Sequence, residues 1–159
     1  MRSFRDKIKE REELREIVEG LKKDGKRICF TNGCFDIVHQ GHVLYLEEAR
    51  RHGDCLIVGV NTDSSVREIK GESKPVIPLE GRMTVLAALE VVDYVVPFAE
   101  PDPFELISVI RPHILVKGGD WEANEVIGKE LVEETIVVPY IEGVSTTGII
   151  TSILQRYTA

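Results

Sequence analysis

Phe30-Thr31-Asn32-Gly33-Cys34-Phe35-Asp36-Ile37-Val38-His39-Gln40-Gly41-His42 leads into an apolar-periodic run over 43–49. The stretch reads as a buried strand over 27–31, a tight glycine turn and a helix opening near Gly41. A parallel sheet presents ligands at such a junction to backbone N–H groups and to the positive end of a helix. Gly41 lets backbone approach an anion. His39 and His42 can donate from ring nitrogens to phosphate oxygens, and the ordinary histidine pKa lets them carry a proton near neutral pH. A metal site is the competing reading of the His-x-x-His pair, but apart from Asp36 no third ligand stands at suitable spacing.

The 159 residues fit one domain that can bury a proper core. A net charge of −7 argues against nucleic acid as a partner, since such binders carry a basic stripe. Cys29, Cys34 and Cys55 are odd in number and sit in or beside apolar runs. They read as reduced thiols of a cytoplasmic protein, not as a disulfide scaffold or zinc site. No apolar signal region opens the chain and no run is long enough to span a membrane.

Outward from the opening stretch, strand-like runs at 27–31, 55–61, 94–97, 114–117 and 135–140 are short and rich in β-branched residues. Helical patterns lie between them at 42–51, 64–70, 81–91, 103–110, 124–133 and 147–156. This alternation predicts an α/β fold: a Rossmann-like, doubly wound, five-stranded parallel sheet. Residues 1–25 form an N-terminal amphipathic helical extension to the 26–159 domain, with Ile8, Leu14, Ile17, Val18 and Leu21 at helical spacing and Gly25 as its stop. The helix could pack on its own domain or on a second subunit. The irregular segment 71–78 is expected to border the site.

Three further clusters lie near this junction. Asn61 to Gly71 continues to Lys74-Pro75 and Arg82, a concentration of basic residues in an otherwise acidic chain; Asp63 or Ser64 there could simply cap a helix. Val116-Lys117-Gly118-Gly119-Asp120-Trp121 follows a strand, so its glycines fall at the carboxyl edge of the sheet. Glu142-Gly143-Val144-Ser145-Thr146-Thr147-Gly148 places hydroxyls at a helix start, as a cap or as a phosphate cradle. His52 and His113 read as surface or strand-edge residues.

The segment 33–42 resembles the HxGH motif of the nucleotidylyltransferase superfamily. More narrowly, 30–36 and the VKGGD-plus-aromatic segment 116–121 resemble the bacterial heptose 1-phosphate adenylyltransferases of ADP-heptose synthesis. The likeness runs from Lys26 to Arg156. It implies that His39 and His42 are catalytic. It implies nucleotide or phosphate contacts for Asn32, Gly33, Phe35, Gly41, Lys117, Gly118, Gly119, Asp120, Ser145 and Thr146. It assigns Asp36, Asp63, Lys70, Lys74 and Arg82 to the substrate; the family often has arginine where this chain has Lys74, whose ammonium lacks the planar fork of a bidentate contact. It further implies ATP with Mg²⁺, a sugar 1-phosphate acceptor, a homodimer, and a separate sugar kinase supplying the acceptor. Related cytidylyltransferases usually carry an arginine before the Ser/Thr segment; Pro139-Tyr140-Ile141-Glu142 has none, which argues for adenine over cytosine. A cytidylyltransferase acting on glycerol phosphate and a non-catalytic nucleotide-binding module are the rival readings.

Overall fold

The computed structural model describes residues 1–158. Five parallel strands, β1 (Ile28–Gly33), β2 (Cys55–Asn61), β3 (Tyr94–Phe98), β4 (Ile114–Gly118) and β5 (Glu134–Val138), form one sheet in the order β3-β2-β1-β4-β5. The chain winds outward from β1 through β2 to β3, then crosses back to place β4 on the other side of β1. The strand order therefore reverses between β1 and β4, which is where an open α/β sheet forms its ligand crevice.

Alternate residues of the strands feed two cores. Ile28, Phe30 and Ile57 face Leu14, Val18, Leu106 and Ile107, carried by α1 (Arg11–Lys23) and α5 (Phe104–Ile110). Cys29, Leu56 and Val58 face Leu46, Ala49, Leu86 and Ala87, carried by α2 (Gln40–Arg51) and α4 (Leu79–Ala88). Both faces are covered, which is why the strands read as continuous apolar runs. Two further helices, α3 (Asp63–Lys70) and α6 (Thr146–Tyr157), complete the set.

The N-terminal helix packs on its own domain. Leu14 and Val18 of α1 are buried in the core with α5. Ahead of it, a 3-10 turn over Phe4–Lys7 leads to Ile8, which bridges in parallel to Val95, and Lys7 Nζ donates to the carbonyls of Leu89 and Val92.

The helix expected over 124–133 is not formed. Two 3-10 turns, Ala123–Glu125 and Lys129–Leu131, stand there, because Gly128 takes φ 90 and a Cβ at that point would lie 2.7 Å from Ile107 Cδ1. Strand β5 stops at Val138, before Pro139, instead of reaching Tyr140. His113 accepts the Ile28 N–H on Nδ1 at the amino end of the central strand β1, and His52 lies beside Glu48 on the surface. Cys29, Cys34 and Cys55 are free thiols. Among the described residues no helix is long and apolar enough to cross a membrane.

Candidate active site

Beyond Cys29–Ile114 and Phe30–Leu115, β1 and β4 part company. Thr31, Asn32 and Gly33 pair only with β2, while Val116, Lys117 and Gly118 pair only with β5. Tyr45 of α2 fills the split: its hydroxyl donates to Val116 O at 3.1 Å and shares a 2.5 Å hydrogen bond with Thr31 Oγ1. Burial pushes that phenol up to about 12, so it stays neutral. Gly118 lies against the ring, where a Cβ would come within 3.2 Å of Tyr45 Cε2. Above this floor opens a cavity of about 840 Å³, bounded by the carboxyl ends of β1, β2 and β4 and by the N-terminal ends of α2 and α6.

His39 is the N-cap of α2, and its Nδ1 accepts the Gly41 N–H at 3.1 Å. A side chain at position 41 would lie 3.0 Å from His39 Cε1, so glycine is what lets this cap close. His42 Nδ1 accepts the His39 N–H at 3.3 Å. Each ring thus uses Nδ1 as acceptor, which leaves the proton of the neutral imidazole on Nε2. The rings stack with centroids 3.9 Å apart, and Phe35 packs at 5.4 Å from His42.

Burial, reinforced by His39, lowers the His42 pKa to about 4 against the opposing pull of Asp36. Burial lowers His39 as well. The expectation that these rings carry a proton near neutral pH is therefore corrected. They are neutral N–H donors, because two stacked rings in a partly desolvated corner disfavour charge.

The remaining expected residues divide into those brought to the cavity and those held behind it. Asn32, Gly33, Phe35, Asp36, Gly41, Lys70, Lys74, Lys117, Gly118, Ser145 and Thr146 line it with the histidines. Ser145 caps α6, accepting the Gly148 N–H on Oγ at 2.9 Å, so its hydroxyl proton remains available. Thr146 Oγ1 donates to Asp36 O at 2.7 Å, so that residue can offer a ligand its backbone N–H but not its hydroxyl proton. The Asp36 carboxylate accepts the N–H groups of Val76 and Ile77 at 2.7 and 2.9 Å and so hooks the 71–78 segment beside the site. Phe35 and Ile37, flanking it, both take positive φ near 50, a left-handed turn that these contacts hold in place. Burial lowers the Lys117 pKa, and its Nζ lies 5.6 Å from the Trp121 ring centroid.

Arg82 does not reach the cavity. It is 1% exposed and each of its guanidinium nitrogens has a protein acceptor: Nε donates to Ile77 O, Nη1 to Cys34 O and Nη2 to Asp63 Oδ1, at 2.9, 2.6 and 2.8 Å. Its expected phosphate contact is corrected to a brace joining the β1 loop, the 71–78 segment and α3. Asp63 is the acid of that brace and also accepts the Leu79 N–H, so it too faces protein instead of substrate. Gly119 and Asp120 do not line the cavity; Gly119 at φ 113 instead admits the Tyr140 ring, which a Cβ would meet at 2.7 Å.

The structure also brings Tyr45, Asn61, Trp121 and Tyr140 to the wall. Tyr45 sits on an apolar-periodic helix and Asn61 ends a strand, so nothing local marks either as a site residue. Trp121 was legible as the aromatic after the glycine pair, and Tyr140 only as a residue near the Ser/Thr segment.

The family model for cytidylyltransferase-like proteins matches residues 30–153. The chain belongs to that family, and its domain is an HxGH nucleotidyltransferase domain. It is 53% identical over 149 residues to the bifunctional protein HldE of Aliarcobacter butzleri, covering 94% of this chain and 31% of that protein. To the bifunctional protein HldE of Pelobacter propionicus it is 51% identical over 155 residues, covering 95% and 32%. The chain thus spans about a third of the length of these curated relatives. The expectation of a physically separate partner enzyme does not hold for them, since their matching segment is part of one longer bifunctional chain. The lipopolysaccharide core biosynthesis protein from Thermoplasma volcanium superposes with a TM-score of 0.64 at 26% identity, covering 74% of this chain and 100% of that one. The pantoate–beta-alanine ligase of Francisella tularensis, at 17% identity and a TM-score of 0.60, shares the fold.

Proposed function

We propose that this domain transfers AMP from ATP to D-glycero-β-D-manno-heptose 1-phosphate, giving ADP-heptose and pyrophosphate for lipopolysaccharide core precursors. The observation that carries the reading is the pair of pinned imidazoles: with both Nδ1 atoms occupied, two Nε2–H donors remain for phosphate oxygens. The HldE relatives and the lipopolysaccharide core biosynthesis neighbour support the heptose side of the reading.

The acceptor's phosphate oxygen attacks the α-phosphorus in line as pyrophosphate leaves, with no covalent enzyme intermediate. Catalysis of this kind is positioning together with neutralisation of charge on the phosphate oxygens. His39 and His42 donate to the α- and β-phosphates as that charge grows. Ser145 and the N-terminal N–H groups of α6 hold the triphosphate at the positive end of the helix. Lys70, Lys74 and Lys117 neutralise the phosphates of the two substrates.

Among the described residues no group of three or more His, Cys, Asp or Glu could hold a metal. Mg²⁺ fits this site as part of MgATP, bound by phosphate oxygens and water. The reading includes a homodimer and a cytoplasmic location, where ATP is available.

The test is pyrophosphate release with ATP and CTP in parallel, each offered heptose 1-phosphate and glycerol 3-phosphate. Turnover confined to ATP with heptose 1-phosphate is expected. Turnover confined to CTP with glycerol 3-phosphate overturns the specificity and keeps the histidine chemistry. ATP binding without turnover in any pairing overturns the enzymatic reading.

A further inference from the structure

Asn61 ends β2 with 3% of its surface exposed, yet it lines the cavity. Its amide orientation follows from its neighbours. Ser65 Oγ donates its one proton to Glu100 O at 3.0 Å, so the Asn61 atom 2.9 Å from that hydroxyl must be the donor, Nδ2. Oδ1 is thereby fixed on the other side. Its one protein neighbour among the described hydrogen bonds is the Cys34 thiol, at 4.0 Å, the outer limit for a weak sulfur donor. A buried amide oxygen this poorly served is uncommon in a folded protein and costs stability until a donor arrives.

The surroundings say what that donor belongs to. Lys70 and Lys117 line the same cavity as Asn61, so two cations border the space its amide oxygen faces. β2 lies on the opposite side of β1 from β4. A ligand at the carboxyl end of β2 is one that brings a hydroxyl to the amide and phosphate to Lys70 of α3 and Lys117 of β4 across the cavity.

We infer that Asn61 Oδ1 accepts a hydrogen bond from a hydroxyl of the phosphorylated polyol that receives the nucleotide, and that this contact helps select the acceptor. The inference rests on the adenylyltransferase reading above and deepens it. Ser65 acts as a positioning residue that sets the amide the right way round.

The test compares kcat/KM, at saturating MgATP, for heptose 1-phosphate and for its monodeoxy analogues, in wild type, Asn61→Ala and Asn61→Asp. In wild type one analogue falls by about tenfold to a hundredfold, because its absence strands the amide oxygen. In Asn61→Ala that gap closes to within about twofold while KM for ATP stays unchanged. Asn61→Asp keeps an acceptor oxygen and retains the gap at a lower rate. Should the alanine variant fail to fold, Asn61→Leu keeps the volume without the acceptor and must close the same gap. A purely structural Asn61 would lower all acceptors alike and leave the ratio untouched, which overturns the assignment, as does a rise confined to KM for ATP. Wild type that uses no sugar 1-phosphate at all overturns the function itself, and does so before any variant is compared.

Discussion

The His39 N–H donates to Nδ1 of His42 at 3.3 Å, and the two rings stack 3.9 Å apart. Backbone N–H groups therefore fix both tautomers, that of Gly41 for His39 and that of His39 for His42, and both rings present Nε2–H to the cavity. Removing one donor that strengthens in the transition state should cost kcat far more than it raises KM. His42→Ala is expected to lower kcat by about a hundredfold to a thousandfold. His42→Gln keeps an N–H donor and should recover part of the loss. Steady-state kinetics on the two variants checks this, and an unchanged kcat in His42→Ala removes the residue from catalysis.

Acid should weaken the fold through the same residue. The unfolded chain's histidine takes up a proton below about pH 6.5, whereas native His42 resists until about 4. Between those values the unfolded state binds more protons, so stability falls as pH falls and is unaffected by His42 above that window. His39 and His113, also lowered chiefly by burial, act with the same sign. Melting temperature measured from pH 7.5 down to 4.5 should drop more steeply in wild type than in His42→Gln. Parallel slopes would show that His42 is not held neutral.

Arg82 separates a brace from a ligand. Replacing it with methionine strands Asp63 and two carbonyls and should cost about 3 kcal/mol, the lower end for a broken buried pair because Asp63 keeps 36% side-chain exposure. In a chain of this size that is a loss of roughly 10 °C in melting temperature. Arg82→Lys should recover little, since one ammonium cannot span three acceptors set by a planar fork. A phosphate ligand would behave in the opposite way, raising KM in both variants while leaving the melting temperature alone.

The contrast between His39 and Arg82 marks what could be read without coordinates. His39-x-Gly41-His42 carries its own geometry, because a glycine turn before an apolar-periodic helix specifies a cap, and the strands announce themselves as short β-branched runs. Charge alone says nothing about burial, and Arg82 looks in the sequence like any other cation beside a basic loop. Its role depends on three acceptors at Cys34, Asp63 and Ile77 that come together only when the sheet has formed. The failed helix at 124–133 has a local cause in the backbone at Gly128, but periodicity weighs side chains and gives a left-handed residue no signature. Asn61 was invisible for another reason: which end of an amide faces a cavity is decided by a serine four positions away and by the carbonyl of Glu100.

Trp121 is the single tryptophan of the chain, half-exposed at the cavity wall with Lys117 Nζ 5.6 Å from its ring centroid. A phosphate that attracts the ammonium must change what lies over that ring, since the cation–π contact and the new ion pair compete for one Nζ. Titrating MgATP or heptose 1-phosphate should therefore shift the intrinsic fluorescence, with no second tryptophan to confuse the signal. Lys117→Met removes a charge-assisted contact and should weaken the ligand that causes the shift by about tenfold or more. Which ligand that is tells whether Lys117 serves the nucleotide or the acceptor. Wild-type binding by calorimetry with no fluorescence change would place both ligands away from Lys117, and unchanged affinity in Lys117→Met would remove its phosphate contact altogether.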